Sequence, residues 1–136
     1  ILWDDFYRLA AEGKTLFVTT HYMEEAQRCH QLAFISSGHI VAQGTPDTIV
    51  DALGESKVYA ANIPYIPELR AALLAMPGIV LVNQFGNVLR IVAKPVIEKN
   101  DLELTINAVI DHPCKLEITE PNLEDVFIVL TQRQAT

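Results

Sequence analysis

Cysteine is scarce in this chain: Cys29 and Cys114 are the only two among 136 residues, and they belong to no Cys-x-x-Cys or Cys-x-x-His spacing. That excludes a disulfide framework and a zinc site built on paired thiols, and makes a reducing compartment the default expectation. Positive charge is short as well. Ten Lys and Arg face 17 Asp and Glu, for a formal charge of −7 and an isoelectric point near 4.9. Such a chain has no basic field to hold a nucleic-acid backbone or an anionic bilayer, so nucleic acid is not expected as a partner. Apolar runs are short, far below the roughly 20 residues a membrane helix needs, and no basic segment leads into a signal-length apolar stretch. Direct membrane insertion is therefore not expected. The sequence opens Ile1-Leu2-Trp3-Asp4-Asp5, without Met and in the middle of a helical pattern, which raises the expectation of further sequence upstream.

Familiar catalytic signatures are missing too. Gly13-Lys14-Thr15 looks like the tail of a phosphate-binding Gly-x-x-x-x-Gly-Lys-Thr loop, but the first glycine would fall on Arg8. Its context is also inverted, running from helix to strand where a phosphate loop runs from strand to helix. Gly13 is better read as a helix cap. No Gly-x-Ser-x-Gly elbow occurs. His30, His39 and His112 share no metal spacing with carboxylates or thiols, and Cys29-His30 is adjacent rather than facing. Asp4-Asp5 and Glu24-Glu25 fall in first helical turns, where solvated acids suit the positive end of the dipole.

What is present is a chain that folds: half its residues are hydrophobic, a fifth are charged, and mean hydropathy is +0.21, too apolar for a disordered tail. Leu2, Phe6, Leu9 and Ala10 make one stripe of an amphipathic helix over 2–12, closed by Gly13. Lys14 to Thr20 reads as a short buried parallel strand stopping at His21, and a helix starts at Met23 and runs to about Cys29. Leu32–Ser36 and Ile40–Gln43 form a hairpin about Ser37-Gly38-His39. Thr45 caps a short helix with Pro46 at its first position, running to Leu53.

The organisation then changes. Six of the seven prolines lie beyond residue 60, and Gly54-Glu55-Ser56-Lys57 is the natural linker between a first unit, 1–54, and a second, 57–136. The second unit predicts strand Val58–Ile63, helix Pro67–Met76, strand Ile79–Gln84, a Gly86-Asn87 turn, strand Val88–Ala93, helix Asp101–Asp111 and strand Lys115–Thr119. That βαββαβ order is the ferredoxin-like split βαβ pattern. Asn122 then caps a last helix through Gln132, with Asp125 at the third helical position and Leu123, Val126, Phe127 and Leu130 facing inward.

His21 is the sharpest candidate for chemistry. It ends a predicted parallel strand immediately before a helix, where open α/β sheets place ligand-contacting groups. Position alone favours a histidine that merely caps the following helix. A free-standing enzyme using His21 as general base would need a nucleophile or acid partner that the sequence does not display.

The string Thr15-Leu16-Phe17-Val18-Thr19-Thr20-His21-Tyr22-Met23-Glu24-Glu25-Ala26, with Leu32-Ala33-Phe34-Ile35 and Gly38-His39-Ile40-Val41-Ala42-Gln43-Gly44-Thr45-Pro46, resembles the end of an ABC-transporter ATP-binding domain. The second unit, closing Glu120-Pro121-Asn122-Leu123-Glu124-Asp125-Val126-Phe127 and Leu130-Thr131, resembles the small C-terminal domain of ABC-2 type exporter ATPases of the daunorubicin-resistance-like group. The first half departs from the usual family text at His30, Gln31 and Ser36-Ser37, where Asp, Arg and an acidic residue are typical. The Walker A loop, Q-loop, Leu-Ser-Gly-Gly signature, Walker B acid and D-loop of that family do not occur in these residues.

The resemblance implies an α/β fragment, the end of a P-loop ATPase domain, followed by a small α+β ferredoxin-like βαββαβ domain with a C-terminal helix. It implies that His21 is the switch histidine contacting the γ-phosphate of ATP. ATP and Mg²⁺ are implied for the full-length protein; for the isolated fragment no cofactor and no ATPase activity are expected, since phosphoryl transfer needs the missing phosphate and metal cradle. The implied partners are a second ATPase subunit and a transmembrane permease, and the implied place is the cytoplasmic face of the membrane. The alternative is that the βαββαβ unit is a regulatory or dimerisation module, sensing a small molecule or pairing with its twin, without catalysis of its own. Helix and strands meant for an absent sheet should leave an apolar face exposed or covered by self-association.

Overall fold

The computed structural model describes residues 2–111 and 113–135, with the backbone alone beyond Gln132; His112 lies outside the described residues. Helix α1, Leu2–Ala11, ends as Gly13 suggests. Gly13 takes φ +92°, its N–H donates to the Ala10 carbonyl at 3.0 Å, and the Lys14 N–H donates to the Leu9 carbonyl at 3.2 Å, the paired bonds of a Schellman cap. The strand expected over 14–20 does not form: the segment has no regular secondary structure. A parallel strand needs neighbours on its edges, and among the described residues none pairs with it. Phe17 is accordingly 96% exposed, and Leu16, Val18, Leu2 and Tyr22 are also exposed.

Helix α2 is a single turn, Met23–Ala26, shorter than its sequence pattern predicts. The hairpin follows as β1, Leu32–Ser36, and β2, His39–Gly44, antiparallel. Both Ser37 and Gly38 have positive φ, 51° and 77°, the turn type whose twist matches paired strands. Thr45 caps α3, Pro46–Val50, by accepting the Thr48 N–H at 3.2 Å, and one 3₁₀ turn over Asp51–Leu53 leads to Gly54.

The remaining residues build β3, Lys57–Asn62; α4, Pro67–Leu74; β4, Ile79–Phe85; β5, Val88–Ala93; α5, Lys99–Ile110; β6, Glu117–Thr119; and α6, Leu123–Ala135. The sheet runs β4-β5-β3-β6 with every pairing antiparallel. This small α/β structure with two antiparallel sheets is compatible with a ferredoxin-like domain. Alternation along the strands sorts side chains onto two faces. Tyr59, Val82 and Ile91 join Leu69 and Leu73 of α4 and Leu102 and Ile106 of α5 in one core. Val58, Leu81 and Val92 point the other way, into a second core with Leu123, Val126 and Val129 of α6.

That second core does not stop at the 54–57 segment. Ala26, Phe34, Ile49 and Leu53 are buried in it, and Met23 packs against it. The hairpin, α3 and α2 thus share a hydrophobic interior with α6 and the back of the sheet.

Candidate functional site

His21 sits in the bend between the extended 14–20 segment and α2, with its side chain exposed. Its ring lies against Tyr22, centroids 4.2 Å apart. The residues on either side of this pair are tied to α2. Thr20 Oγ1 donates to Glu25 Oε1 at 2.6 Å and accepts the Tyr22 N–H at 3.0 Å. One hydroxyl therefore closes the bend in both directions, using its donor and an acceptor lone pair together.

Helix α2 is in turn seated. Ala26, 6% exposed, is in the core shared with α6. From the other side α1 grips the segment after α2: Tyr7 Oη donates to the Arg28 carbonyl at 2.9 Å, and the Arg28 guanidinium lies 5.7 Å from the Trp3 ring centroid, within cation–π range. His30 packs edge-on to Tyr7. His39 begins β2 and is exposed. The structure thus brings His30 and His39 to separate places, neither beside His21.

Between α2, the end of the β4–β5 hairpin and the start of α6 lies a groove of about 340 Å³, lined by Met23, Glu24, Gln27, Phe85, Arg90 and Leu123 among others. The start of α6 beneath it is firmly made. Asn122 Oδ1 accepts the Asp125 N–H at 2.8 Å and Asp125 Oδ2 accepts the Asn122 N–H at 3.0 Å, a reciprocal cap. Asp125 is fully buried and is met by Arg90, an ion pair that the sequence reading missed. A lone cation in the otherwise apolar run Val88–Ala93 was the available signal, because a charge on a buried strand face needs a partner. Burial, then the negative charge of Asp125, pushes the Glu124 carboxyl above the usual glutamate range, with Arg90 opposing. Burial, then nearby Glu25, raises the Cys29 thiol; burial, then Glu103, raises that of Cys114.

Among the described residues no three His, Cys, Asp or Glu side chains are gathered to hold a metal ion. The site consists of one exposed imidazole on a bend braced by Thr20 and Glu25, able to meet a polar group brought to it.

No protein-family model matches the chain. Curated relatives do match, along almost all of it. Nod factor export ATP-binding protein I of Bradyrhizobium diazoefficiens is 30% identical over 138 residues, covering 98% of this chain and 42% of the relative. The protein of the same name from Ralstonia nicotianae is 33% identical over 142 residues with the same coverages. That of Rhizobium meliloti is 29% identical over 137 residues, covering 98% of the chain and 38% of the relative. The chain is homologous to the C-terminal part of these ABC export ATP-binding proteins. It spans less than half the length of the curated relatives it matches and corresponds to their C-terminal part. No helix among the described residues is long and apolar enough to cross a membrane.

Proposed function

We propose that this chain is the C-terminal part of the ATPase subunit of an ABC exporter, whose full-length form binds and hydrolyses ATP to drive transmembrane export. The observation that carries this reading is the match of 98% of the chain to the C-terminal part of export ATP-binding proteins. Residues 1–54 finish the nucleotide-binding domain, and residues 57–136 form an appended ferredoxin-like domain. Segment 14–20 becomes a strand once the neighbours of the parallel sheet flank it, and the exposure of Phe17 supports that reading, since such a side chain gains about 1.5–3 kcal/mol on burial.

In the complete ATPase His21 faces the γ-phosphate. Its exposed imidazole, presented at the end of 14–20, can donate a hydrogen bond to a terminal phosphate oxygen as charge shifts during cleavage. The remainder of the phosphate and Mg²⁺ cradle is supplied by the rest of the full-length protein, so the 136 residues alone neither bind nor cleave ATP. A second ATPase subunit and a membrane-spanning permease complete the exporter, with the ATPase peripheral on the cytoplasmic face.

His21→Ala in the full-length protein tests the assignment. Turnover of ATP should be abolished while the circular dichroism of the 136-residue chain is unchanged; surviving turnover would remove His21 from the site. Tight binding of Mg-ATP to the isolated chain in a calorimetric titration would contradict the view that its cradle lies elsewhere.

A further inference from the structure

We infer that Thr20 and Glu25 are positioning residues for His21, and that the C-terminal unit holds them in place through α2. This rests on the reading of His21 as the phosphate-facing histidine and adds what fixes it.

The bend at His21 has little to hold it. Helix α2 is one turn long, and Tyr22, which precedes it, makes no side-chain cap. A four-residue helix is far below the length at which helices persist unaided. Two contacts replace intrinsic stability. The first is the Thr20 hydroxyl, which spans His21 by accepting from the Tyr22 N–H and donating to Glu25. Those bonds fix the backbone on both sides of His21, and a backbone fixed at both neighbours limits where the imidazole can swing. The second is the seat of α2 itself: Ala26 is buried, and Met23 packed, against the cluster that contains Leu123 and Val126 of α6 and Val92 of β5.

The contacts form a continuous path from α6 to Ala26 and Met23, along one helical turn to Glu25, then through Thr20 to His21. Coupling carried by packed side chains and hydrogen bonds requires such contiguity. An appended unit that only lay beside the ATPase would not need to bury residues of the turn that follows the histidine. Here Ala26 and Met23 of α2 share one hydrophobic cluster with α6, so a change in the seating of α6 reaches the bend along that path.

The chemistry distinguishes positioning from simple packing. Thr20→Val is nearly isosteric but deletes both hydroxyl bonds, whereas Thr20→Ser keeps them. Glu25→Ala removes the acceptor, whereas Glu25→Gln retains an amide oxygen at the same reach.

Steady-state ATP hydrolysis by the full-length protein is the first test. Thr20→Val and Glu25→Ala should lower kcat by about tenfold or more with KM for ATP changed less than about threefold, the pattern of a lost transition-state contact. Thr20→Ser and Glu25→Gln should recover most of that loss. If His21→Ala leaves turnover intact, the histidine reading fails and takes this inference with it. If His21→Ala abolishes turnover while Thr20→Val and Glu25→Ala do not reduce it, the positioning role alone is overturned. A loss in the Ser and Gln variants as large as in Val and Ala would also overturn it, because packing and not hydrogen bonding would then be at work.

The second test needs only the 136-residue chain. Amide exchange at Tyr22, followed by NMR, should quicken by about threefold or more in Thr20→Val and Glu25→Ala through local opening. The same should occur in Leu123→Ala, and in the milder Met23→Ala should the former fail to fold. Unchanged exchange at Tyr22 in a folded Leu123→Ala or Met23→Ala chain would overturn the part assigned to the C-terminal unit.

Discussion

Arg90 and Asp125 meet as a two-pronged ion pair across the interface of sheet and helix, Nη2 to Oδ2 at 2.6 Å and Nε to Oδ1 at 3.1 Å, with the same Nη2 donating to the Glu120 carbonyl at 3.2 Å. The carboxylate is fully buried and the guanidinium side chain is 13% exposed. Removing one partner of such a pair leaves the other charge without compensation. Arg90→Ala should therefore destabilise the chain by about 3–5 kcal/mol, read as a drop in the urea midpoint. The Arg90→Ala/Asp125→Ala double variant should lose less than the sum of the two single changes, because the second substitution removes the stranded charge.

Asn122 and Asp125 cap α6 reciprocally. Asn122→Ala should cost about 1 kcal/mol, and Asn122→Ser or Asn122→Asp should cost less, since each keeps an oxygen for the Asp125 N–H. Thermal unfolding of the three variants orders them. Equal stability of the Ala and Ser variants would show that the bond seen at 2.8 Å contributes nothing.

Glu124 stands beside that cap and is disfavoured in its charged form, first by burial and then by Asp125. Its carboxyl is raised in the folded state. The stability it contributes is therefore complete below the unfolded glutamate pKa and is lost as pH rises through the folded one. Glu124→Gln, which cannot ionise, should melt above the parent chain at pH 7. That gap should close as pH falls through the glutamate range; a gap independent of pH would point to some other cause.

Cys29 and Cys114 share the opposite of a reactive setting. Each thiol is raised by burial and by a neighbouring carboxylate, and the Cys29 thiol also donates to the Glu25 carbonyl at 3.7 Å. At pH 7 both should alkylate with iodoacetamide more slowly than free cysteine, whose pKa is about 8.5. Unfolding in urea should abolish the difference. Because the folded state favours the protonated thiols, stability should decline as pH rises beyond the ordinary thiol range.

Turns and caps that close their own hydrogen bonds were legible in the sequence, and so were the strands β3 to β5, whose partners lie within the described residues. The Ser37-Gly38 turn, the Thr45-Pro46 helix start, the Gly86-Asn87 hairpin and the Asn122–Asp125 cap all appear as expected, because each is decided within a few residues. Segment 14–20 has strand composition yet no strand, since pairing is supplied from outside the segment. Helix α2 has its expected start but stops at Ala26, where tertiary seating and not the Glu24-Glu25 pair sets its extent. Position brought His21 into view, and a family resemblance raised it above a capping role. Thr20 and Glu25 went unnoticed as a pair because a five-residue separation across a bend matches neither helical nor strand periodicity. Arg90 went unnoticed because its partner lies 35 residues away, and only the pleat of β5 reveals that it shares a face with Val92.

The common interior of the hairpin, α3 and α6 sets a limit on how this chain can be cut and rejoined. Residues 54–57 look like a seam in the sequence, yet a break there would part Phe34, Ile49 and Leu53 from the α6 residues of their cluster and leave Leu123, Val126 and Val129 covered by the back of the sheet alone. An exchange of C-terminal units between relatives would have to match these two surfaces as well as join the backbone. The hairpin, α3 and α2 are therefore bound to α6 by packing as well as by the chain.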